Sequence, residues 1–300
     1  MDEKAKAKRF KKRSKKEIIL ILLTVLFLTA AIISLGIYFY ETVIVDEIDK
    51  STVEKLEETI DLDLSTDTNI EEDTDEDDVY TEPAPEIVRG GVDEVDIDKI
   101  SFINYDREKL TSSAPEAVGW FFFPGPKSVS GLPISNPLMQ ADNNEYYLNH
   151  DFSGSENING AIFVDCAAVM PDITTNRNTV IYGHARSKQK FGGLKYLNEA
   201  EAWYANAYNH FICITTSSQR TVWQIFSWYE STADSDYRKS SFPSDTEYLE
   251  YLDLLQSRNV VPAFKKFDFS ADDRIITLST CKGTDKNKRV VVHAVLVKSE

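Results

Sequence analysis

Residues 275–281 read Ile-Ile-Thr-Leu-Ser-Thr-Cys, and after the polar segment 282–288 the chain continues as Arg289-Val290-Val291-Val292. Both apolar runs are rich in β-branched residues, and the segment between them is rich in charged and turn-forming residues. The pattern predicts two strands joined by a turn. Cys281 then ends the first strand and Arg289 begins the second, so both side chains lie at one end of a hairpin.

Short strands dominate the rest of the C-terminal two thirds of the chain. Five further runs are rich in Val, Ile, Phe, Tyr or Thr and are bounded by turn residues: 119–124, 160–165, 178–182, 211–215 and 222–229. One clear helix begins at the capping box Ser244-Asp245-Thr246-Glu247 and continues with Tyr248, Leu252 and Leu255 at helical spacing. Residues 94–110 show a weaker helical pattern. Many strands with few helices predict a mainly β fold, a closed or nearly closed barrel decorated with helices.

His184 follows the predicted strand 178–182 and Gly183, so it also stands at a strand end. Cys, His and Arg together suit acyl transfer through a thioester, because a thiolate attacks, His moves the proton and Arg stabilises the oxyanion. Each residue also has an ordinary structural interpretation. A cysteine on a strand is usually buried and contributes only to packing, and a histidine or arginine at a strand end is usually exposed to solvent.

The other two cysteines, Cys166 and Cys213, have no comparable neighbours. An exported domain could oxidise them to a disulfide, which the sequence alone leaves open. No cysteine pair has zinc-finger spacing, and the four histidines supply no metal signature. The cysteines and histidines therefore predict no metal site.

The N-terminal end predicts a membrane anchor. Nine Lys and Arg residues stand in the first sixteen positions, and residues 18–40 carry no charge and are mostly aliphatic. A helix of this length is roughly 35 Å long, enough for a bilayer core of about 30 Å, and the basic flank places the N-terminus in the cytoplasm. The alternative is a cleaved signal peptide, whose apolar region usually spans only about 7–15 residues.

An acidic segment follows, with 23 acidic against four basic residues in positions 41–100. Charge repulsion and the lack of apolar residues predict an extended stalk with little fixed structure, and cation binding is the alternative. Residues 101–300 are nearly balanced, with 23 acidic and 20 basic residues, and have no basic stripe that would bind nucleic acid. The predicted organisation is a basic cytoplasmic tail (1–17), a transmembrane anchor (18–40), an acidic extracellular stalk (41–93) and a catalytic domain (94–300).

The motifs of the domain resemble those of a sortase. Thr277–Cys281, Arg289 eight residues later and Val180-Ile181-Tyr182-Gly183-His184 carry the likeness. The surrounding sequence resembles class B over roughly residues 95–298, through Val118-Gly119-Trp120, Pro124-Gly125, residues 134–140, Asp142-Asn143, Tyr147-Leu148, His150-Asp151, residues 160–165, Phe191-Gly192-Gly193-Leu194 and the helix 244–257 before the last two strands.

This resemblance implies an eight-stranded barrel and a cysteine transpeptidase that needs no metal and no organic cofactor. Such an enzyme cleaves a C-terminal sorting motif of a secreted protein after its Thr and passes the acyl group to an amine of peptidoglycan or of its lipid-linked precursor. Cys281 is then the nucleophile, His184 the general acid and base, and Arg289 the residue that orients substrate and stabilises the oxyanion. Ser279, Thr280 and Tyr182 are the implied substrate-binding residues. The enzyme would act on the outer face of a Gram-positive cell membrane.

Three positions depart from the class B pattern: Ala185-Arg186 follow the histidine, Lys282 follows the cysteine, and Ser135-Asn136 precede Pro137. These positions flank the site and bear on substrate details. Two alternatives remain. A pilin-polymerising class C enzyme usually has a lid segment and a second C-terminal anchor, whereas the last predicted strand here reaches nearly to Glu300. A membrane-tethered β-domain that only binds a wall ligand would have no unusually reactive Cys281.

Overall fold

A computed structural model describes residues 14–64, 95–204, 206–282 and 285–300. The chain divides into two compact units, Met1–Val45 and Asp46–Glu300. The helices are α1 (Lys15–Phe39), α2 (Val45–Thr59), α3 (Arg107–Ser113), α4 (Glu201–Tyr204) and α5 (Asp245–Ser257). The strands are β1 (Ala117–Phe123), β2 (Ile134–Met139), β3 (Ile162–Val164), β4 (Asn178–Tyr182), β5 (Phe211–Thr216), β6 (Arg220–Thr232), β7 (Ile275–Lys282) and β8 (Asp285–Ser299).

The first unit is dominated by α1, whose start is fixed by a capping box. The Ser14 hydroxyl accepts from the backbone amide of Glu17, and the Glu17 carboxylate accepts from the amide of Ser14. None of its residues is buried. Within the described part of the chain, the N-terminal helix is the only one long and apolar enough to cross a membrane. A π-helical turn, Tyr40–Ile44, follows it. Most of the predicted basic tail lies outside the described residues.

The second unit is a closed eight-stranded barrel with the strand order β1-β2-β3-β4-β7-β8-β6-β5. The β4–β7 and β2–β3 pairs are parallel, and the other pairs are antiparallel. Alternate residues along the strands fill the main core of the barrel, among them Ile181, Ile276, Leu278, Val290 and Val292. The predicted barrel is therefore confirmed, and its closure leaves no free strand edge.

The helix before the last two strands is also confirmed, as α5. The Ser244 hydroxyl accepts from the amide of Glu247 at 3.2 Å, whereas the Glu247 carboxylate contacts Lys239. The apolar face of α5 packs on β6–β8, in a cluster that includes Tyr248, Leu252, Ile275 and Val291. α5 thus covers the outside of the barrel at the strands that carry the Cys281 motif.

The structure corrects the predicted stalk over residues 46–64. Here α2 is an ordered helix whose Val53 and Leu56 are buried, together with Ile60 just beyond its end. These side chains join a cluster with α3 and the outer side of the barrel. The helix forms because an apolar stripe at helical spacing is hidden among the acidic residues. The remainder of the predicted stalk, residues 65–94, lies outside the described residues.

Two further details differ from the sequence-based expectation. β8 begins at Asp285 instead of Arg289, because residues 285–288 continue the ladder and pair as far as Lys282–Asp285 and Lys288–Thr232. The disulfide left open between Cys166 and Cys213 is not formed. Cys213 is buried on β5, whereas Cys166 is exposed after β3, and both are free thiols.

Candidate active site

The parallel pairing of β4 with β7 brings His184 beside Cys281. Tyr182 is the register partner of Ser279. The ladder continues past β4, because the amide of Gly183 donates to the carbonyl of Ser279 at 3.4 Å and the Thr280 hydroxyl donates to the carbonyl of Gly183 at 2.7 Å. Two residues beyond the Tyr182–Ser279 pair on each strand, His184 and Cys281 lie at the same level of the sheet.

Arg289 joins them from the other side of β7. It is the antiparallel register partner of Cys281, and a bulge follows between Cys281 and Lys282. Side chains directly opposite each other in an antiparallel pair share one face, with Cβ atoms about 5 Å apart. The three predicted catalytic residues therefore meet at one end of three neighbouring strands, β4, β7 and β8.

This group lies on the outer face of the barrel. Leu278 and Val290 point into the main core, so alternation directs Cys281 and Arg289 to the opposite face. Cys281, His184 and Arg289 are all half-buried. A partly exposed thiol on a rigid strand is accessible to a substrate, which the buried Cys213 is not. Burial also raises the pKa of Cys213 to about 12, so this thiol is a poor nucleophile.

His184 is held by a hydrogen bond to the main chain. Its Nε2 lies 2.7 Å from the carbonyl oxygen of Leu148, in the loop between β2 and β3. Burial lowers the pKa of His184, the hydrogen bond to Leu148 opposes this, and the charge of Arg186 lowers the pKa further. The imidazole is thus predominantly neutral at pH 7, the form that can take a proton from a thiol or amine.

The three predicted substrate-binding residues are placed close by but are engaged inside the protein. The Ser279 hydroxyl donates to the Tyr237 hydroxyl at 3.1 Å, and Thr280 donates to the carbonyl of Gly183, both from buried positions. Tyr182 is half-buried and donates to the Asp165 carboxylate at 2.8 Å. Burial and this hydrogen bond raise the pKa of Tyr182. Their assignment to substrate binding stays a prediction.

A cleft of about 590 Å³ opens along the end of β6. Its lining includes Ser231, the register partner of Arg289, and Glu230, which forms an ion pair with Lys282. Lys282 is the residue at which this chain has a base where class B often has an acid. Here that base is paired across the sheet.

A thiol, an imidazole and a guanidinium on one rigid sheet end have the composition needed for acyl transfer through a thioester. The sequence predicted these three residues but not the contact with the Leu148 carbonyl, because a main-chain contact across a loop leaves no pattern in side-chain identity. It also missed Asp46 and Asp49 of α2, although their spacing with Val53, Leu56 and Ile60 is helical. That spacing was the available signal.

Comparison with known proteins gives a consistent result. A family model described as the sortase domain matches residues 132–297, more than half of the chain. Sortase B of Staphylococcus aureus (strain NCTC 8325 / PS 47) is 29% identical over 195 residues, which cover 64% of this chain and 74% of that protein. Sortase B of Listeria monocytogenes serovar 1/2a (strain ATCC BAA-679 / EGD-e) is 31% identical over 191 residues, covering 62% and 71%.

The fold comparison agrees. The crystal structure of Clostridium perfringens sortase B superposes with a TM-score of 0.55 at 27% identity, covering 64% of this chain and 99% of that chain. The residues that the family model matches, 132–297, include the three strand ends described above.

Proposed function

The chain belongs to the sortase family, in its class B, and from this membership we propose that Cys281, His184 and Arg289 carry out a cysteine transpeptidase reaction at the cell surface. The observation that carries the proposal is their meeting at one end of β4, β7 and β8. The substrate is a secreted protein with a C-terminal sorting motif, cleaved after Thr.

In the first half-reaction the neutral imidazole of His184 takes the proton of the Cys281 thiol, and the resulting thiolate attacks the carbonyl carbon of that Thr. The carbonyl oxygen becomes an oxyanion, and the guanidinium of Arg289 stabilises it with fixed N–H donors. The C–N bond then breaks, and His184 gives its proton to the leaving amine. The product is a thioester between the Thr carbonyl and Sγ of Cys281.

In the second half-reaction an amine of peptidoglycan or of its lipid-linked precursor attacks the thioester. His184 takes a proton from that amine as the new C–N bond forms, and the leaving Cys281 thiolate then takes this proton back from His184, which restores the thiol and the neutral imidazole. The sum is an exchange of one amide bond for another, which needs no external energy source.

We further propose that α1 anchors the protein in the cell membrane with its N-terminus in the cytoplasm. The length and apolar character of the helix support the anchor, and the nine bases that precede the apolar run support the orientation. Both substrates of the reaction lie at the outer membrane face, where this anchor would hold the barrel domain.

The assignment predicts that Cys281→Ala abolishes cleavage of sorting peptides and transfer to an amine, while the domain stays folded. Mass spectrometry of the full-length protein incubated with a panel of sorting peptides, with and without an added amine, measures both products and the acyl-enzyme. Circular dichroism verifies the fold.

Cys166→Ala is the matched control. Its thiol is exposed and lies away from the strand ends, so this variant should retain wild-type turnover. Retained cleavage by Cys281→Ala would refute the role of Cys281. The loss of activity in Cys166→Ala alone would move the nucleophile to the loop after β3.

A further inference from the structure

α2 presents two carboxylates on the same face as its apolar stripe. Asp46 and Asp49 are three residues apart, and Asp49 stands four residues before Val53, so helical geometry aligns them. Asp49 is buried. A buried carboxylate is costly unless its oxygens are satisfied by donors, so its partners indicate what it holds in place.

Asp49 holds the loop that leads from β2 to β3. One carboxylate oxygen accepts from the Asn157 side-chain amide at 2.6 Å, and the other accepts from that of Asn159 at 2.8 Å. The backbone amide of Asn157 in turn donates to the carbonyl of Asn149 at 2.8 Å. Asn149 directly follows Leu148 in the chain, and the Leu148 carbonyl accepts the hydrogen bond from Nε2 of His184.

Asp46 holds the segment on the other side of His184. Its carboxylate accepts a hydrogen bond from the Ser187 hydroxyl at 2.6 Å. The same hydroxyl oxygen accepts a hydrogen bond from the backbone amide of Gln189 at 3.0 Å. The same loop returns to His184, because the amide of Phe191 donates to the His184 carbonyl at 3.1 Å. The two carboxylates therefore hold the two segments between which the imidazole lies.

A buried cation compensates this pair of acids. Lys190 is buried, and its ammonium donates to the Asn136 side chain at 2.9 Å. Burial lowers the pKa of Lys190, and the negative charges of Asp49, Asp151 and Asp46 oppose this lowering. One connected polar group thus joins the two acids of α2 to the loop after His184 and to β2.

The contact with Leu148 also selects a tautomer. A carbonyl oxygen can only accept, so Nε2 must carry a hydrogen and Nδ1 holds the free lone pair of the neutral ring. The second nitrogen of a catalytic histidine is commonly oriented by such a partner.

We propose that Asp46 and Asp49 are positioning residues for His184, acting through the Ser187 loop and through the Asn157–Asn149–Leu148 segment to fix its orientation and its Nε2–H tautomer. This deepens the proposed function and rests on it for the role of His184. The segment that directly follows the candidate membrane helix would then be part of the support of the active site.

The test uses Asp49→Asn in the full-length protein. Its new amide nitrogen faces another amide donor, so at least one of the two Asn contacts is lost. We expect single-turnover acylation to slow by at least about tenfold, as small misplacements of a catalytic group do, with KM within about twofold. In parallel, ¹⁵N NMR of the histidines, assigned with His184→Ala, should show His184 leaving the pure Nε2–H form.

The rescue variant is Asp49→Asn combined with Asn159→Asp. This exchange keeps the net charge and restores one donor and one acceptor between the two positions, so the acylation rate and the tautomer should both recover. Ser187→Ala is the milder second variant and should slow acylation less, because it removes only the contact with Asp46.

Val53→Ala is the matched control, because it loosens the same helix in its apolar stripe and leaves the polar contacts in place. It should lower stability without changing kcat or the His184 tautomer. Equal rates and an unchanged tautomer in Asp49→Asn would overturn the proposal. Retained cleavage by Cys281→Ala would instead remove the proposed function, while the tautomer measurement would still decide whether α2 orients His184.

Discussion

Arg289 and Cys281 are register partners, and the type of cation at position 289 matters for the chemistry proposed here. A guanidinium offers a planar fork of donors, whereas an ammonium is a point charge on a flexible stem. Because the loss of one oxyanion donor costs about 3–4 kcal/mol, Arg289→Lys should acylate at least about a hundredfold more slowly with the fold intact. Single-turnover acylation across pH 5 to 10 measures this.

His184→Ala provides the comparison for Arg289→Lys. Without a proton donor for the leaving amine, both half-reactions should slow, and the pH–rate profile should lose one limb. Wild-type acylation by Arg289→Lys would reduce Arg289 to a general positive charge. A bell-shaped profile that persists in a still active His184→Ala would remove His184 from the mechanism.

His210 lies away from the candidate active site, and its burial predicts how the stability of the protein depends on pH. It is 1% exposed, its ring is tilted against that of Trp203 and edge-on to that of Phe264, and neither ring nitrogen has a hydrogen-bond partner among the described residues. Burial lowers the pKa of His210 from the ordinary 6.5 to about 4. Between these values the unfolded chain binds a proton that the folded protein does not, so stability falls as the pH falls through this window.

We therefore predict that His210→Phe becomes increasingly more stable than the wild type as the pH is lowered from 7 to 4. The relative gain over this range should approach about 3 kcal/mol, since one pKa unit is worth about 1.4 kcal/mol. Urea denaturation at several pH values measures it. A difference between variant and wild type that does not change with pH would show that His210 is solvated or protonated in the folded state.

At the residue scale, the sequence contained the three proposed catalytic positions but not their supports. Cys281, His184 and Arg289 stand at strand ends, and strand ends are visible in the alternation of β-branched and turn residues. The Leu148 carbonyl belongs to the main chain, so its contact with His184 depends on how two loops fold back. Such a contact could be found only once the β2–β3 and β4–β5 connections were placed.

At the scale of elements, the missed strand and the missed helix have different causes. β2 reads Ile-Ser-Asn-Pro-Leu-Met, and its Asn and Pro argue against a strand by local preference. It forms nevertheless because its Trp120–Pro137 and Phe121–Asn136 pairings with β1 close the barrel. Pairing with β1, and not local propensity, therefore makes this segment a strand. The eighth strand of the barrel was expected only from the resemblance to class B.

α2 was missed because its charge obscured its periodicity. Val53, Leu56 and Ile60 follow a helical stripe, but they stand within the most acidic part of the chain. Net charge predicts solvation only when acids point to solvent. Here two acids of the stripe, Asp46 and Asp49, are bound by Ser187, Asn157 and Asn159 on the barrel domain, so the same residues that suggested a stalk attach the helix to the fold.

At the scale of the whole molecule, this attachment changes where the soluble domain begins. If the acidic segment were only a spacer, deletion of residues 1–44 and deletion of residues 1–64 would give equivalent proteins. The compact unit instead starts at Asp46. The burial of Val53, Leu56 and Ile60 contributes about 1.5–3 kcal/mol for each side chain, against a typical total stability of about 5–15 kcal/mol.

We predict that the protein lacking residues 1–44 is soluble, folded and as active on a soluble sorting peptide as the full chain. The protein lacking residues 1–64 should lose at least about 2 kcal/mol of stability even after the entropy of ordering α2 is regained, because its removal also exposes the apolar surface beneath it. Its acylation rate should fall as well, because both carboxylates that hold the segments around His184 are gone. Urea denaturation and single-turnover acylation of the two truncated proteins make the comparison. Equal midpoints and equal rates would mean that α2 acts as a spacer and that the barrel supports His184 without it.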